Sequence, residues 1–353
     1  FFIYSNTESL NTKCFTPILN DFNFLSRINF LAVGILTKPN SSSSFKEKDI
    51  LKKSIEITLF LIKVTVPISL VIKVLSDFGL IKIIAGFFSP VMKIVGLSGE
   101  LGIVWITAML TNIYGGIITL FNFSNTIDFS VKEITIVATM ILIAHSLFPE
   151  TRILMEVGAK GKKVVGLRII SAIVIGFIMN IIYSSLGIYN EITKFKFVPK
   201  NTDNSYLGFF ISQSKNYLNV FIIIFALLVF MEILKKVGLI SLINKMLRPL
   251  LKPLGIGENA ITINLVSLTM GISYGAALFF EEIKSGKITK QELTNSIYLM
   301  SLCHALIEDT LLMLSLGAKI SGIILIRIIF TYIFIYGFNN YMKRKSELIT
   351  QNN

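Results

Sequence analysis

The chain contains two histidines, and each heads the same short polar run. The first run is Ala144-His145-Ser146-Leu147-Phe148-Pro149-Glu150-Thr151, and the second is Cys303-His304-Ala305-Leu306-Ile307-Glu308-Asp309-Thr310. An acid stands five residues after each histidine (Glu150, Asp309), with a threonine directly after it (Thr151, Thr310). Both runs lead into Gly-Ala-Lys, at Gly158-Ala159-Lys160 and Gly317-Ala318-Lys319. Imidazole titrates near neutrality and ligates metals, so the pattern suits a proton carrier, a cation site or a hydrogen-bonding site for a polar solute. The plainer reading is a buried histidine that holds a loop carbonyl, and the duplication weighs against it. His304 and Glu308 are four apart and would share a helix face. Pro149 should disturb the helix four residues after His145, letting Glu150 and Thr151 turn back toward the ring. His145, Glu150, His304 and Glu308 are the candidate metal ligands. Thr151 and Thr310 either add ligand hydroxyls or N-cap the short helix that follows.

Both runs lie at the ends of strongly apolar segments, where ionisable groups mark functional sites. The 353 residues are 53% hydrophobic and 16% charged, with a mean hydropathy of +0.71. That composition reads as an all-α polytopic membrane protein whose main partner is the lipid bilayer. The net charge of +13 then reflects loop cations that set orientation against anionic lipid, not nucleic-acid binding. Cys14 and Cys303 make no disulfide framework. The stretch Gly158 to Lys163 lacks the spacing and the Ser/Thr of a Walker A loop, which argues against ATP-driven work by this chain, and no cofactor is expected.

From residue 57 the sequence repeats at an offset of about 159. Phe78-Gly79-Leu80-Ile81 answers Val237-Gly238-Leu239-Ile240, and Val95-Gly96-Leu97 answers Leu254-Gly255-Ile256. Glu133 answers Glu292, and the histidine runs follow in register. Such internal repeats set the architecture. Each copy reads as five pieces: an apolar helix (57–78, 218–236), an amphipathic interfacial stretch (80–95, 239–254), a broken apolar segment (100–123, 259–281), a helix ending in the histidine run (131–149, 292–308) and a last helix (164–186, 320–338). The domain layout is a tail and linker over 1–54, a first repeat over 55–186, a linker over 187–215, a second repeat over 216–340 and a basic tail over 341–353. The apolar patch Phe24 to Leu36 is too short to span with confidence, and an opening on Phe1 rather than Met leaves the natural start open.

The broken segments carry Thr111-Asn112-Ile113-Tyr114-Gly115-Gly116 and Gly271-Ile272-Ser273-Tyr274-Gly275 at their middles. Polar residues and glycines at that depth suit a re-entrant hairpin tip, which places Asn112, Tyr114, Gly115, Tyr274 and Gly275 among the candidate site residues. The alternative for the glycines is close helix packing alone. With non-crossing hairpins, the basic runs 46–53, 152–168, 235–252, 284–290 and 343–345 share one side, as the positive-inside rule prefers. Three crossings per copy then put the two repeats in inverted orientation, with both termini cytoplasmic.

The paired Tyr-Gly breaks and histidine runs resemble the Gate family, also called the nucleoside recognition domain, over roughly 57–338. Gate-like segments occur in concentrative nucleoside transporters, in the ferrous iron transporter B and in spore maturation proteins A and B. The resemblance implies a bacterial inner-membrane protein of transport type. The expected function is secondary transport of a small polar solute, nucleoside-like or a divalent cation, by alternating access between two inverted repeats, with a second copy of the chain as a candidate partner in a homo-oligomer. A non-transport scaffold or maturation factor of the spore-maturation type is the alternative. An enzyme is disfavoured, because two symmetric copies do not make the single asymmetric constellation that catalysis usually needs.

Overall fold

The computed structural model describes residues 47–351 apart from 125, 196–204, 285 and 287, and apart from the side chains of several helical residues, Tyr274 among them. Residues 1–46 of the tail and linker expected over 1–54 lie outside the described residues. Among them there is no strand; Ser130 and Ile192 form one isolated bridge. The first copy comprises α1 (Glu47–Asp77), α2 (Leu80–Ile94), α3 (Gly99–Leu110), α4 (Ile113–Ser124), α5 (Val131–Ala144), α6 (Leu147–Glu156) and α7 (Gly161–Leu186). The second comprises α8 (Tyr206–Lys236), α9 (Leu239–Leu251), α10 (Glu258–Met270), α11 (Ile272–Lys284), α12 (Lys290–Leu302), α13 (Glu308–Ser315) and α14 (Arg327–Gln351). A 3₁₀ turn, Lys252–Leu254, follows α9, and a π-helical turn, Ser321–Ile326, opens α14.

The same local devices recur at the 159 offset. Helices α5 and α12 both start with a capping box, Ser130 with Glu133 and Thr289 with Glu292, which satisfies orphan amides at each N-terminus. Gly96 and Gly255 both stand at positive φ (71° and 70°) after the amphipathic helix. A Cβ at either would run into the side chain of Asn180 or Asn339 respectively, so the glycine is required twice over. Those asparagines are also 159 apart, a match that lies beyond the motifs quoted above.

Each broken segment doubles back on itself. A Cβ at Gly116 would lie 2.7 Å from the Cβ of Ala108, and one at Gly275 would lie 2.5 Å from that of Ser267. Residues eight apart in one straight helix would stand about 12 Å apart. The glycines therefore let α3 pack on α4 and α10 on α11, which is the close-packing role. Between α2 and α3 the chain bends by 93°.

Helix α5 is the most enclosed element, with every residue from Ile134 to His145 buried. A helix apolar all round belongs in a core. Around it pack α3, α7 and, from the second copy, α12. Among the described residues, four stretches are long and apolar enough to cross a membrane: Val131–Glu156, Gly161–Leu186, Tyr206–Leu234 and Ser321–Arg344. A fifth arises if the bent pair α2–α3 counts as one span. The expectation was three per copy. Helix α12, with Gln291, Glu292, Thr294, Asn295 and Ser296, is too polar to be among them.

Three boundaries differ from the sequence reading. Helix α1 begins at Glu47, α8 at Tyr206 inside the stretch read as linker, and α14 runs to Gln351 through the stretch read as tail. Hydropathy marks the apolar middle of a helix, while Lys, Glu and Gln extend helices well beyond it.

Candidate functional site

Each histidine sits at a helix break. Helix α5 ends at Ala144, His145 turns extended (φ −89°, ψ 166°), and Ser146 adopts left-handed φ of 45° before α6. In the second copy α12 ends at Leu302, and Ala305 has φ 47°. Pro149 is not the breaker. It sits in the first turn of α6, where the ring is tolerated. The break also removes His304 from any helix, so the face expected to join it to Glu308 does not exist.

A broken helix leaves carbonyls and amides without partners. Two devices satisfy them, once per copy. The hairpin tips take the amides: Ser146 N–H donates to the Ala108 carbonyl (2.9 Å), and Ala305 N–H to the Ser267 carbonyl (3.2 Å). Two fully buried arginines take the carbonyls. Arg168 Nε donates to Ile143 O (2.7 Å) and its Nη2 to His145 O (2.9 Å). Arg327 repeats this on Leu302 O (3.0 Å) and His304 O (3.0 Å), and its Nη2 also reaches Leu142 O of the first copy (3.1 Å). Their positive charge also suits a helix C-terminus. The sequence reading missed both. Arg168 was placed among the loop cations, but it is 0% exposed. Its twin at the 159 offset, inside an apolar helix, was the available signal.

The two imidazoles meet where the copies meet, with ring centroids 5.2 Å apart. Each Nδ1 lies 2.9 Å from a carbonyl four residues back, Ile141 O for His145 and Met300 O for His304. A carbonyl only accepts, so each Nδ1 carries the proton and each Nε2 presents its lone pair in the neutral ring. Both Nε2 atoms face acids. Glu150 Oε1 is 3.2 Å from His145 Nε2 and 3.5 Å from His304 Nε2, and Asp309 Oδ2 is 3.7 Å from His145 Nε2. Arg168 Nη2 holds the other oxygen of Glu150 at 2.7 Å. The turn-back expected of Glu150 is observed, though from a break three residues earlier than Pro149 suggested. In the second copy Asp309, not Glu308, is the acid that reaches the centre, because α13 starts at Glu308 and turns the next residue inward. The Tyr114 hydroxyl lies within electrostatic reach of Glu308 and Asp309.

The remaining candidates scatter. Thr151 and Thr310 lie inside α6 and α13, so they are not N-caps; their buried hydroxyls find no hydrogen-bond partner among the described residues. Asn112 is itself a cap, its Oδ1 accepting from Gly115 N–H at 2.9 Å at the start of α4. Gly115 leaves room for the Thr111 hydroxyl, and Gly275 for Ser267. The side chain of Tyr274 lies outside the described residues. His145, His304 and Asp309 bring one potential ligand atom each within 4.8 Å of one another.

The chain is similar to proteins of one family. Residues 58–160 match the family described as "Gate: Nucleoside recognition". The "Uncharacterized membrane protein YvoD" of Bacillus subtilis (strain 168) is 27% identical over 272 residues, which covers 75% of this chain and 85% of that protein. No solved structure matches the chain. The matched region runs from α1 through the first hairpin, the His145 break and Gly158-Ala159-Lys160, and so the chain is a multi-pass membrane protein whose residues 58–160 are similar to the Gate, or nucleoside-recognition, family.

Proposed function

We propose that the chain is a secondary transporter of a small polar solute or ion, acting in a cytoplasmic membrane with both termini on the cytoplasmic side. One observation carries this reading: the only two histidines, each with its acid, converge on one buried centre where two copies of the same helix set meet. A purely structural histidine would be satisfied by its Nδ1 bond to the carbonyl and would not need two acids opposite Nε2. Broken helices around a mid-membrane site between two repeats are the arrangement of many secondary transporters. The repeats, 55–186 and 216–340, would stand in inverted orientation and rock about the centre to open it to either side in turn. The hairpin tips, bonded to the breaks through Ser146 and Ala305, would carry the motion to the histidines.

The test is flux. Purified protein in proteoliposomes is offered nucleosides, nucleobases and divalent cations, with an imposed proton or sodium gradient. Uptake of one class, lost in a His145→Asn/His304→Asn double variant, is the expected result. If no class moves although the protein is folded and inserted, transport is the wrong reading.

A further inference from the structure

The identity of the occupant follows from the acceptors at the centre, on the reading that the centre binds what is carried. With both Nδ1 protons committed to carbonyls and both rings neutral, four acceptor atoms converge: His145 Nε2, His304 Nε2, Glu150 Oε1 and Asp309 Oδ2. His304 Nε2 and Asp309 Oδ2 are buried and find no hydrogen-bond partner among the described residues. Unpartnered buried acceptors are costly, and a group of them facing one another calls for a positive centre.

From this geometry we infer a divalent transition-metal site, with His145 Nε2, His304 Nε2 and Asp309 Oδ2 as ligands and Glu150 Oε1 as the fourth. A tetrahedral ion about 2.1 Å from each donor sets the donors about 3.4 Å apart. Three of the six separations among the four donors are 3.2, 3.5 and 3.7 Å, and the ligand atoms of His145, His304 and Asp309 all lie within 4.8 Å of one another, so the remaining donors need only a small closing movement to meet an ion. The surroundings are those of a ligating histidine, whose second nitrogen characteristically donates to a carbonyl and thereby fixes tautomer and ring direction. Here that bond is made twice. Arg168 orients the Glu150 carboxylate from its far oxygen.

The charge balance selects the kind of metal. Arg168 and Arg327 offset Glu150 and Asp309, so the centre offers little net negative charge. Calcium and magnesium rely on several carboxylates and would bind poorly, whereas imidazole nitrogen suits Zn²⁺, Co²⁺ or Fe²⁺. The same balance limits how tightly the ion is held, which fits a passenger better than a permanent structural metal.

The experiment uses the full chain in detergent, titrated with Co²⁺ and followed by visible absorption, with Zn²⁺ as competitor. Apparent Tm is measured in parallel with Zn²⁺, Co²⁺, Mg²⁺ and Ca²⁺. Saturable cobalt bands that Zn²⁺ displaces, and a Tm rise with the transition ions only, are expected. Asp309→Asn and His304→Asn keep side-chain volume; their metal-free Tm reports folding, and each should weaken binding more than about 100-fold, since even a supporting residue is worth 10–100-fold. Binding that survives both variants, or a larger response to Ca²⁺ or Mg²⁺, overturns the assignment. So does the absence of any response in folded wild-type protein. Metal binding without flux in proteoliposomes would keep this site and overturn transport; flux of another solute without metal binding would do the reverse.

Discussion

A guanidinium inside an apolar bundle survives only if its charge and its donors are used. Arg168 and Arg327 use them on the carbonyls freed by the two breaks, but among the described residues only Arg168 also has a carboxylate at ion-pair distance. Removing it would leave Glu150 as an uncompensated buried charge beside two orphan carbonyls. Arg168→Met should therefore cost about 3–5 kcal/mol, the range for breaking a buried pair. Arg327→Met should cost less, about 1.5–3 kcal/mol for its charged hydrogen bonds. Adding Glu150→Leu to Arg168→Met should recover much of the loss, because apolar replacement of a whole buried pair is often neutral. Unfolding midpoints in mixed detergent would rank the three variants. Equal losses for both arginines would show that the Glu150 pair carries no special weight.

At the scale of elements, the hairpins are set by what glycine omits. A side chain at Gly116 meets Ala108 across the turn, and one at Gly275 meets Ser267. Gly116→Val should overpack the α3–α4 contact and destabilise by about 1–3 kcal/mol. It should also disturb the centre, since Ala108 holds the amide of Ser146 next to His145. Gly166, in α7, is the control. Nothing lies within 4 Å of its notional Cβ, so Gly166→Ala should be neutral or stabilise by about 0.5–1 kcal/mol. The thermal midpoint should fall for Gly116→Val and hold or rise for Gly166→Ala.

For the whole molecule, the inverted arrangement makes a claim about sidedness. With non-crossing hairpins, Lys162 and Lys245 reach the same side of the membrane. Both are exposed, so single cysteines placed there, with Cys14 and Cys303 replaced, are open to an impermeant thiol reagent. In sealed right-side-out vesicles both should be protected, and both should label once the vesicles are inverted. Labelling from opposite sides would mean that a hairpin crosses, and the inverted repeat would fall. Arg168 is buried in the core and does not contribute to the positive-inside bias.

The duplication, the membrane class, the five recurring pieces and the histidine–acid pairs were all legible from residue types and spacing. These are local quantities: apolar runs of spanning length, a fixed offset, and glycines at turns. The centre itself was only half legible. Spacing put Glu308 on the face of His304, because it assumed a helix where the chain breaks; which acid turns inward depends on where α13 starts. Nor does spacing say that an arginine in an apolar helix reaches back across 25 residues to Ile143, or from the second copy across 185 to Leu142. What the sequence determined by itself is the pair of matching half-sites. That the halves close into one group of four facing acceptors is a tertiary decision, made by the packing of α12 on α5 and by the hydrogen bonds owed to two broken helices.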